Sequence, residues 1–224
     1  MKIKEKLSLD IHGLIKNGAV NIVVFGDSVS HGAFNGYFDY DAVYHNLLRK
    51  KLLSVGDTLP INVINSAIGG TTATASLLRL ERDVLSHHPD LVIVCFGLND
   101  VNGSLDSYLS SLREIFTKCS EHSEVIFLTP NMLNTYVADD TPKQHLEYAY
   151  KTCDMQNSGR MAEFIYSAKA LAESLSISVC DCYSIWKELS KTEDTTTLLI
   201  NRINHPCEEM HRLFADEIFK MIMA

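Results

Sequence analysis

Basic residues are scarce and scattered: Lys and Arg number 20 against 28 Asp and Glu, and no basic run occurs in the 224 residues. A formal charge of −8 and a pI near 5.5 oppose a phosphate backbone, so no nucleic-acid partner is expected. Long apolar stretches are missing too. The longest, such as "LVIVCFGL", are strand-sized, far short of the roughly 20 residues that span a membrane. The N-terminal "MKIKEKLSLDIHG" mixes charges through its first ten residues and lacks the apolar core of a signal peptide. Six cysteines, at 95, 119, 153, 180, 182 and 207, make no CxxC pair and no Cys/His quartet, so no metal is expected. With no export signal they read as reduced thiols in a cytoplasmic protein. Cys180 and Cys182 are expected on one face of a strand, packed and not bridged.

What is present is an alternation. "AVNIVVFG" (19–26) is a continuous apolar run ended by glycine, the pattern of a strand buried on both faces. "INVINS" (61–66), "LVIVCFG" (91–97), "EVIFLTP" (124–130) and "ISVCDCY" (177–183) repeat it. Helix-length segments stand between and after them: 41–54, 72–86, 105–122, 158–176 and 206–223. In the last, Met210, Leu213, Phe214, Ile218, Met221 and Ile222 form one stripe. Five strands with intervening helices predict an α/β fold with a five-stranded parallel sheet and helices on both faces. No repeat, linker or low-complexity segment divides the chain, so residues 1–224 are read as a single domain. Two connections are long, 28–40 and 131–157, a length usually kept for function or for local structure of its own.

Ligands of such sheets bind beyond the carboxyl ends of the strands. After the first strand comes "GDSVSHG", with Ser28 two residues past Gly26; a serine becomes a nucleophile only with a base in reach and donors for the oxyanion. After the second comes "NSAIGGTT", whose Gly69 and Gly70 offer backbone N–H groups. After the third comes "FGLND", with the Asn99 amide. Near the chain end "NHP" places His205 before the terminal helix. Each has a plain alternative: turn chemistry for Gly-Asp-Ser, a tight turn or phosphate cradle for Gly-Gly, and helix starts for Asn-Asp and His-Pro. As a nucleotide loop "GDSVSHG" lacks the required lysine and glycine spacing. Their arrangement, in order along one sheet edge, favours a single site.

In these blocks the chain resembles the SGNH hydrolases, also called GDSL esterases/lipases. "FGDSVSHG", "INSAIGGTT", "VCFGLND" and "NHP" match the four blocks in order, from about residue 20 to 215. The resemblance implies a flavodoxin-like three-layer α/β/α sandwich with a Ser/His hydrolytic centre and no cofactor. It implies Ser28 as nucleophile, His205 as base, and an oxyanion hole of the Ser28 N–H, the Gly70 N–H and the Asn99 side chain. Asp27 and Asp100 are expected to hold loops through nearby N–H groups. His31 is expected to line the pocket, and His211 to pack or face solvent on the last helix.

One position departs. The family's usual aspartate, three residues before the histidine, is Arg202 here, and a guanidinium cannot accept the imidazole Nδ1 proton. The acceptor must be the Asn201 side-chain oxygen, a backbone carbonyl in "NRIN", or a carboxylate such as Asp181, Asp194 or Glu208. In a Ser-His-Asp protease triad, exchanging the acid for its amide costs about 10⁴ in turnover, mostly through the wrong tautomer. A carbonyl fixes the tautomer without charge, so a carbonyl-supported Ser–His dyad is the favoured reading. Ala67 replaces a glycine common in relatives and reads as neutral.

The implied reaction is acyl transfer from an ester to water. Aromatics in "HGAFNGYFDYDAVY" and "NMLNTYVADDTPKQHLEYAYKTCD" could stack on a sugar or simply pack the loops. No large apolar lid for long-chain lipids is evident. Short acyl esters are therefore expected, acetyl on carbohydrate foremost, with a small-molecule ester as the substrate, no nucleic-acid or membrane partner, and the oligomeric state left open. The rivals are a thioesterase or lysophospholipase with the same centre, and a binding protein that lost turnover through Arg202.

Overall fold

A strand buried on both faces needs apolar side chains at every position, and the two most continuous runs become the two central strands. The structure is a computed structural model that describes residues 2–56 and 59–224. Its five strands are β1 (Val20–Gly26), β2 (Ile61–Asn65), β3 (Leu91–Cys95), β4 (Glu124–Leu128) and β5 (Ser178–Cys180). All pair in parallel, in the order β2-β1-β3-β4-β5. Every residue of β3 is buried, and β1 is buried except at Asn21. Phe25 lies edge-on to Phe96 at 5.2 Å between ring centres and anchors this central pair.

The helices are α1 (Ile3–Leu7), α2 (Ile11–Asn17), α3 (Ser28–His31), α4 (Tyr44–Leu53), α5 (Ala73–Ser76), α6 (Leu80–Asp83), α7 (Leu105–Ser120), α8 (Leu146–Asn157), α9 (Arg160–Ser174), α10 (Cys182–Leu189) and α11 (Glu208–Met223). The chain leaves β1 in one direction across the sheet and, after β2, returns past β1 in the other. With right-handed crossovers that reversal puts α4 on one face and α5 to α9 on the other. Accordingly α4 packs against α11, while α7 packs against α5 and α9. The reversal lies between β1 and β3, which is where a doubly wound sheet opens a crevice. None of these helices is long and apolar enough to cross a membrane, among the described residues.

Several boundaries differ from the sequence expectation. The run 177–183 contains only a three-residue strand: the Asp181 carboxylate accepts the Ser184 N–H and starts α10 at Cys182. Cys180 and Cys182 therefore lie on different elements, not on one strand face; their sulfurs approach to 3.8 Å and both thiols are free. The predicted helix over 72–86 is broken into α5, α6 and two short 3-10 turns. Arg79, at the break, turns inward: its guanidinium bonds the Ser76 hydroxyl at 3.1 Å and lies 4.6 Å from the Phe25 ring centre. The connection 131–157 holds α8, whose inward residues Ala149, Thr152, Met155 and Gln156 make a weak apolar stripe.

Two histidines, His45 and His211, are sealed between α4 and α11. His45 Nε2–H donates to the Ser30 carbonyl at 3.0 Å, and His211 Nδ1 accepts the Tyr44 N–H at 3.3 Å. Burial pushes their pKa values down to about 4 and about 3. Both stay neutral in the fold but are protonated in the unfolded chain below about pH 6.5, so their contribution weakens as pH falls from there. Asp27 and Asp100, which burial pushes up to about 7 and about 6, act oppositely. They keep their protons in the fold and lose them on unfolding above about pH 3.9, so stability drops as pH rises towards their folded values. Near pH 5 the four groups offset one another. His211→Asn keeps an acceptor for Tyr44 without the titration. Urea unfolding at pH 7 and pH 5 should show this variant gaining about 1–2 kcal/mol on wild type at the lower pH. Parallel behaviour of the two proteins would exclude a neutral His211.

Candidate active site

Four chain segments converge at the carboxyl ends of β1, β2 and β3. Gly26 closes β1 where a side chain cannot fit, since a Cβ there would stand 2.6 Å from the Cys95 carbonyl oxygen. Asp27 follows and its carboxylate accepts the Val29 N–H at 3.1 Å, starting the single turn of α3 with Ser28 at its first position. Beyond β2, the turn 66–72 carries Gly69 and Gly70, and Gly70 has φ +77°, a conformation that glycine adopts without strain. Beyond β3 come Asn99 and Asp100. The fourth segment is the loop 200–206, tied by the Ile200 N–H to the His205 carbonyl at 2.8 Å and by a bridge between Leu199 and Pro206.

The structure brings Ser28 and His205 together. Ser28 Oγ lies 3.0 Å from His205 Nε2, and His205 Nδ1 lies 2.7 Å from the Phe34 carbonyl oxygen. A carbonyl can only accept, so Nδ1 carries the imidazole proton and Nε2 presents a lone pair to the Ser28 hydroxyl. Burial lowers the His205 pKa, partly offset by the Phe34 hydrogen bond, and so favours the neutral, basic ring. The Phe34 carbonyl is itself fixed: the residue's N–H donates to the Tyr37 carbonyl at 2.9 Å, and its buried ring packs on His211 at 5.0 Å between ring centres. The neighbouring Ala33 N–H donates to the Ser28 carbonyl at 2.9 Å.

The acceptor is thus a backbone carbonyl, but not one in "NRIN". Asn201 serves another purpose. Its Oδ1 accepts the N–H groups of Ile203, Asn204 and His205 at 3.1, 3.0 and 2.9 Å and shapes the histidine loop. The three carboxylates are engaged elsewhere, Asp181 with Lys169 and Ser184, Asp194 with Tyr136 and Thr196, and Glu208 with Arg212. Arg202 has φ +61° and points outward, its guanidinium bonding Asp140 at 3.0 Å and the Thr197 carbonyl at 3.0 Å. Nothing in the sequence marks Phe34, because any residue supplies a carbonyl.

On the other side of Ser28, Gly70 and Asn99 border the same cavity. Among the described residues, no acceptor within the chain meets the N–H of Ser28 or of Gly70. Asn99 Nδ2 donates one hydrogen to the Thr71 carbonyl at 3.0 Å and has a second to offer. Asp100 accepts the Ala73 N–H at 2.8 Å, as Asp27 accepts that of Val29, so both carboxyls tie loops. His31 does not border the cavity; it sits on α3 and accepts the Gly69 N–H at 3.2 Å. His211 is fully buried in the core. The cavity, about 480 Å³, is walled by Phe34, Phe38, Ile203 and Pro142 and by the polar Asn35, His145, Tyr148 and Asn204.

A hydroxyl held on a bare imidazole nitrogen, beside uncommitted N–H donors, is equipped to attack a carbonyl and to shelter the resulting oxyanion. Comparison with known proteins identifies the family. The profile of the GDSL-like lipase/acylhydrolase family matches residues 24–213. The chain belongs to that family. As a GDSL-like acylhydrolase it is a hydrolase of carboxylic esters. The fold is that of Axe2, an acetylxylan esterase from Geobacillus stearothermophilus, at a TM-score of 0.71 and 22% identity, over 91% of this chain and 94% of Axe2. A variant of the same acetyl-xylooligosaccharide esterase, with one arginine exchanged for alanine, superimposes at 0.72, also with 22% identity over the same shares. Catalytic mutants of Axe2 have been made at a serine, an aspartate and a histidine, the last two three positions apart. The uncharacterised lipoprotein YqeF of Bacillus subtilis is 31% identical over 83 residues, 37% of this chain and 33% of that protein, so the match spans about a third of its length.

The departure at residue 202 gives a test. Asp tolerates a positive φ better than most residues, so Arg202→Asp should fold. Because the Phe34 carbonyl already occupies Nδ1, kcat/KM for nitrophenyl acetate should stay within about tenfold of wild type. A gain of about a hundredfold would show that the missing acid limits turnover.

Proposed function

We propose that the protein is a serine esterase that removes short acyl groups, acetyl foremost, from carbohydrate. The observation that carries this reading is the chain Phe34 carbonyl, His205, Ser28, at 2.7 and 3.0 Å. In the proposed reaction Ser28 Oγ attacks the ester carbonyl carbon as its proton passes to His205 Nε2. The imidazolium keeps its Nδ1–H on Phe34, and the oxyanion lies against the N–H groups of Ser28 and Gly70 and Asn99 Nδ2. Collapse breaks the bond to the alcohol, which leaves with the proton from Nε2. Water, deprotonated by the same nitrogen, then attacks the acyl-serine; the released acid and Ser28 complete the cycle. A neutral carbonyl orients the ring but adds no negative charge beside the imidazolium, which fits a base of lowered pKa.

The cavity supports the choice of substrate. No Lys, Arg, Asp or Glu lines it among the described residues, so it offers no permanent cation to the phosphates of a coenzyme A thioester or a lysophospholipid. Asn35, Tyr148 and Asn204 offer hydrogen bonds suited to hydroxyl groups. Tyr37, Phe38 and Tyr40, on the loop after Ser28, are all more than half exposed, and Phe38 also borders the cavity. Their faces suit the apolar side of a sugar ring. Six free thiols support a reducing, cytoplasmic setting.

Nitrophenyl acetate and octanoate, acetylated xylo-oligosaccharides and acyl thioesters form the deciding panel. The acetyl esters should be turned over with kcat/KM at least about tenfold above octanoate and thioester. Ser28→Ala should lose at least about 10³-fold in kcat. Activity should persist as pH falls through about 6.5, since the base titrates below its ordinary value. Preference for the octanoate or thioester, or an active Ser28→Ala protein, would refute the reading.

A further inference from the structure

The proposed oxyanion turn is held at two ends. Its far end is tied to the residues beyond β3, by Asn99 Nδ2 on the Thr71 carbonyl and by Asp100 on the Ala73 N–H. Its near end is tied to β1 by the Ser66 N–H on the Val24 carbonyl at 2.9 Å and the Ile68 N–H on the Gly26 carbonyl at 3.1 Å. The next N–H, that of Gly69, donates to His31 Nδ1 on α3 at 3.2 Å. An N–H donor demands a bare acceptor, so Nδ1 is unprotonated and the ring is neutral. The Gly69 α-carbon is also close to the nucleophile: a Cβ built there would stand 3.6 Å from Ser28 Cβ and 3.6 Å from His31 Nδ1. The ring is clamped from outside by Phe38 at 4.4 Å and Tyr40 at 6.2 Å between ring centres. At its backbone, the His31 N–H donates to the Asp27 carbonyl at 2.9 Å.

We propose that His31 is a positioning residue: its bare Nδ1 holds the Gly69 N–H so that the next N–H, that of Gly70, faces the oxyanion, and a proton on Nδ1 frees the Gly69–Gly70 segment at the middle of the turn. This rests on the Ser28 reading and adds to it a second titrating group. Protonation would set two N–H donors against each other, so the bond is lost and replaced by repulsion. The elements packed around the ring are α3, the loop 32–43 and the turn 66–72. Their titratable groups are Asp27, Asp39, Asp41, Tyr37 and Tyr40. Asp27 is committed to Val29, and Asp39 to the N–H groups of Asp41 and Ala42. Burial alone acts on the imidazole, and no charge partner favours its protonated form.

Two variants separate positioning from packing. His31→Phe keeps an aromatic ring against Phe38 and removes the acceptor. His31→Asn keeps an acceptor oxygen near the Nδ1 position and cannot titrate. With nitrophenyl acetate, His31→Phe should lower kcat at least about tenfold with KM within about threefold, and His31→Asn should recover most of it. On the acid side, log kcat for wild type should fall with a limiting slope near two protons, and for His31→Asn with a slope near one. A His31→Phe enzyme with wild-type kcat overturns the proposal, as does a His31→Asn enzyme with the wild-type acid limb. Fluorophosphonate labelling tells this failure from a deeper one. If wild-type protein escapes labelling, the Ser28 reading falls and this inference with it; if it is labelled, those two kinetic outcomes overturn the role of His31 alone.

Discussion

A hydrogen bond from an imidazole to a main-chain carbonyl decides which nitrogen of His205 is basic. Without it the two tautomers would be close in energy, and many of the molecules would turn an N–H towards Ser28. With Phe34 accepting at 2.7 Å, Nε2 is the free nitrogen and Ser28 Oγ has a place to send its proton. The rest of the local structure keeps that contact in place. The 33–38 hairpin fixes the carbonyl, Asn201 shapes the histidine loop, and the Leu199–Pro206 bridge joins the loop to the start of α11. A carboxylate would do the same orienting and add Coulombic support for the imidazolium; the carbonyl offers only its dipole. Burial of the ring pulls in the same direction, towards a weaker base that stays neutral in mildly acidic water.

The two buried carboxyls beside the site answer a related problem. Asp27 and Asp100 each anchor a loop through one oxygen, while the second oxygen of each lacks a partner. A full negative charge in that position would carry a large desolvation penalty. Pushed up to about 7 and about 6, they keep their protons in mildly acidic water and serve there as hydrogen-bonding struts with little field of their own. This separates them from the proposed Ser28–His205 pair, although Asp27 adjoins Ser28 in the chain.

The parallel sheet is legible in the sequence because strands covered on both faces require unbroken apolar runs, and β1 and β3 supply them. Ser28, Gly70, Asn99 and His205 are legible through their places after strands and through the four blocks that resemble a family. The misses have physical causes. α10 is hidden because Cys-Asp-Cys has the alternation of a strand, while the deciding feature is the Asp181 cap. α8 is hidden because its inner face relies on Ala149, Thr152 and Gln156, and Gln156 is buried through bonds to the Leu133 N–H and the Tyr183 hydroxyl. The partner of His205 is out of reach, since composition carries no trace of which carbonyl a fold will aim inward. Likewise, the sequence puts His31 in the pocket lining, and only coordinates show its nitrogen on Gly69.

Because Phe34 contributes a main-chain oxygen, no side-chain exchange at that position can delete the group that orients the His205 ring. The vulnerability moves from chemistry to length. One residue inserted or removed between Ala33 and Phe38 would break the hairpin that fixes this oxygen while leaving Ser28, Gly70, Asn99 and His205 in the sequence. Natural variation in this enzyme should therefore tolerate exchange at residue 202 more readily than indels in the short hairpin that follows Ser28.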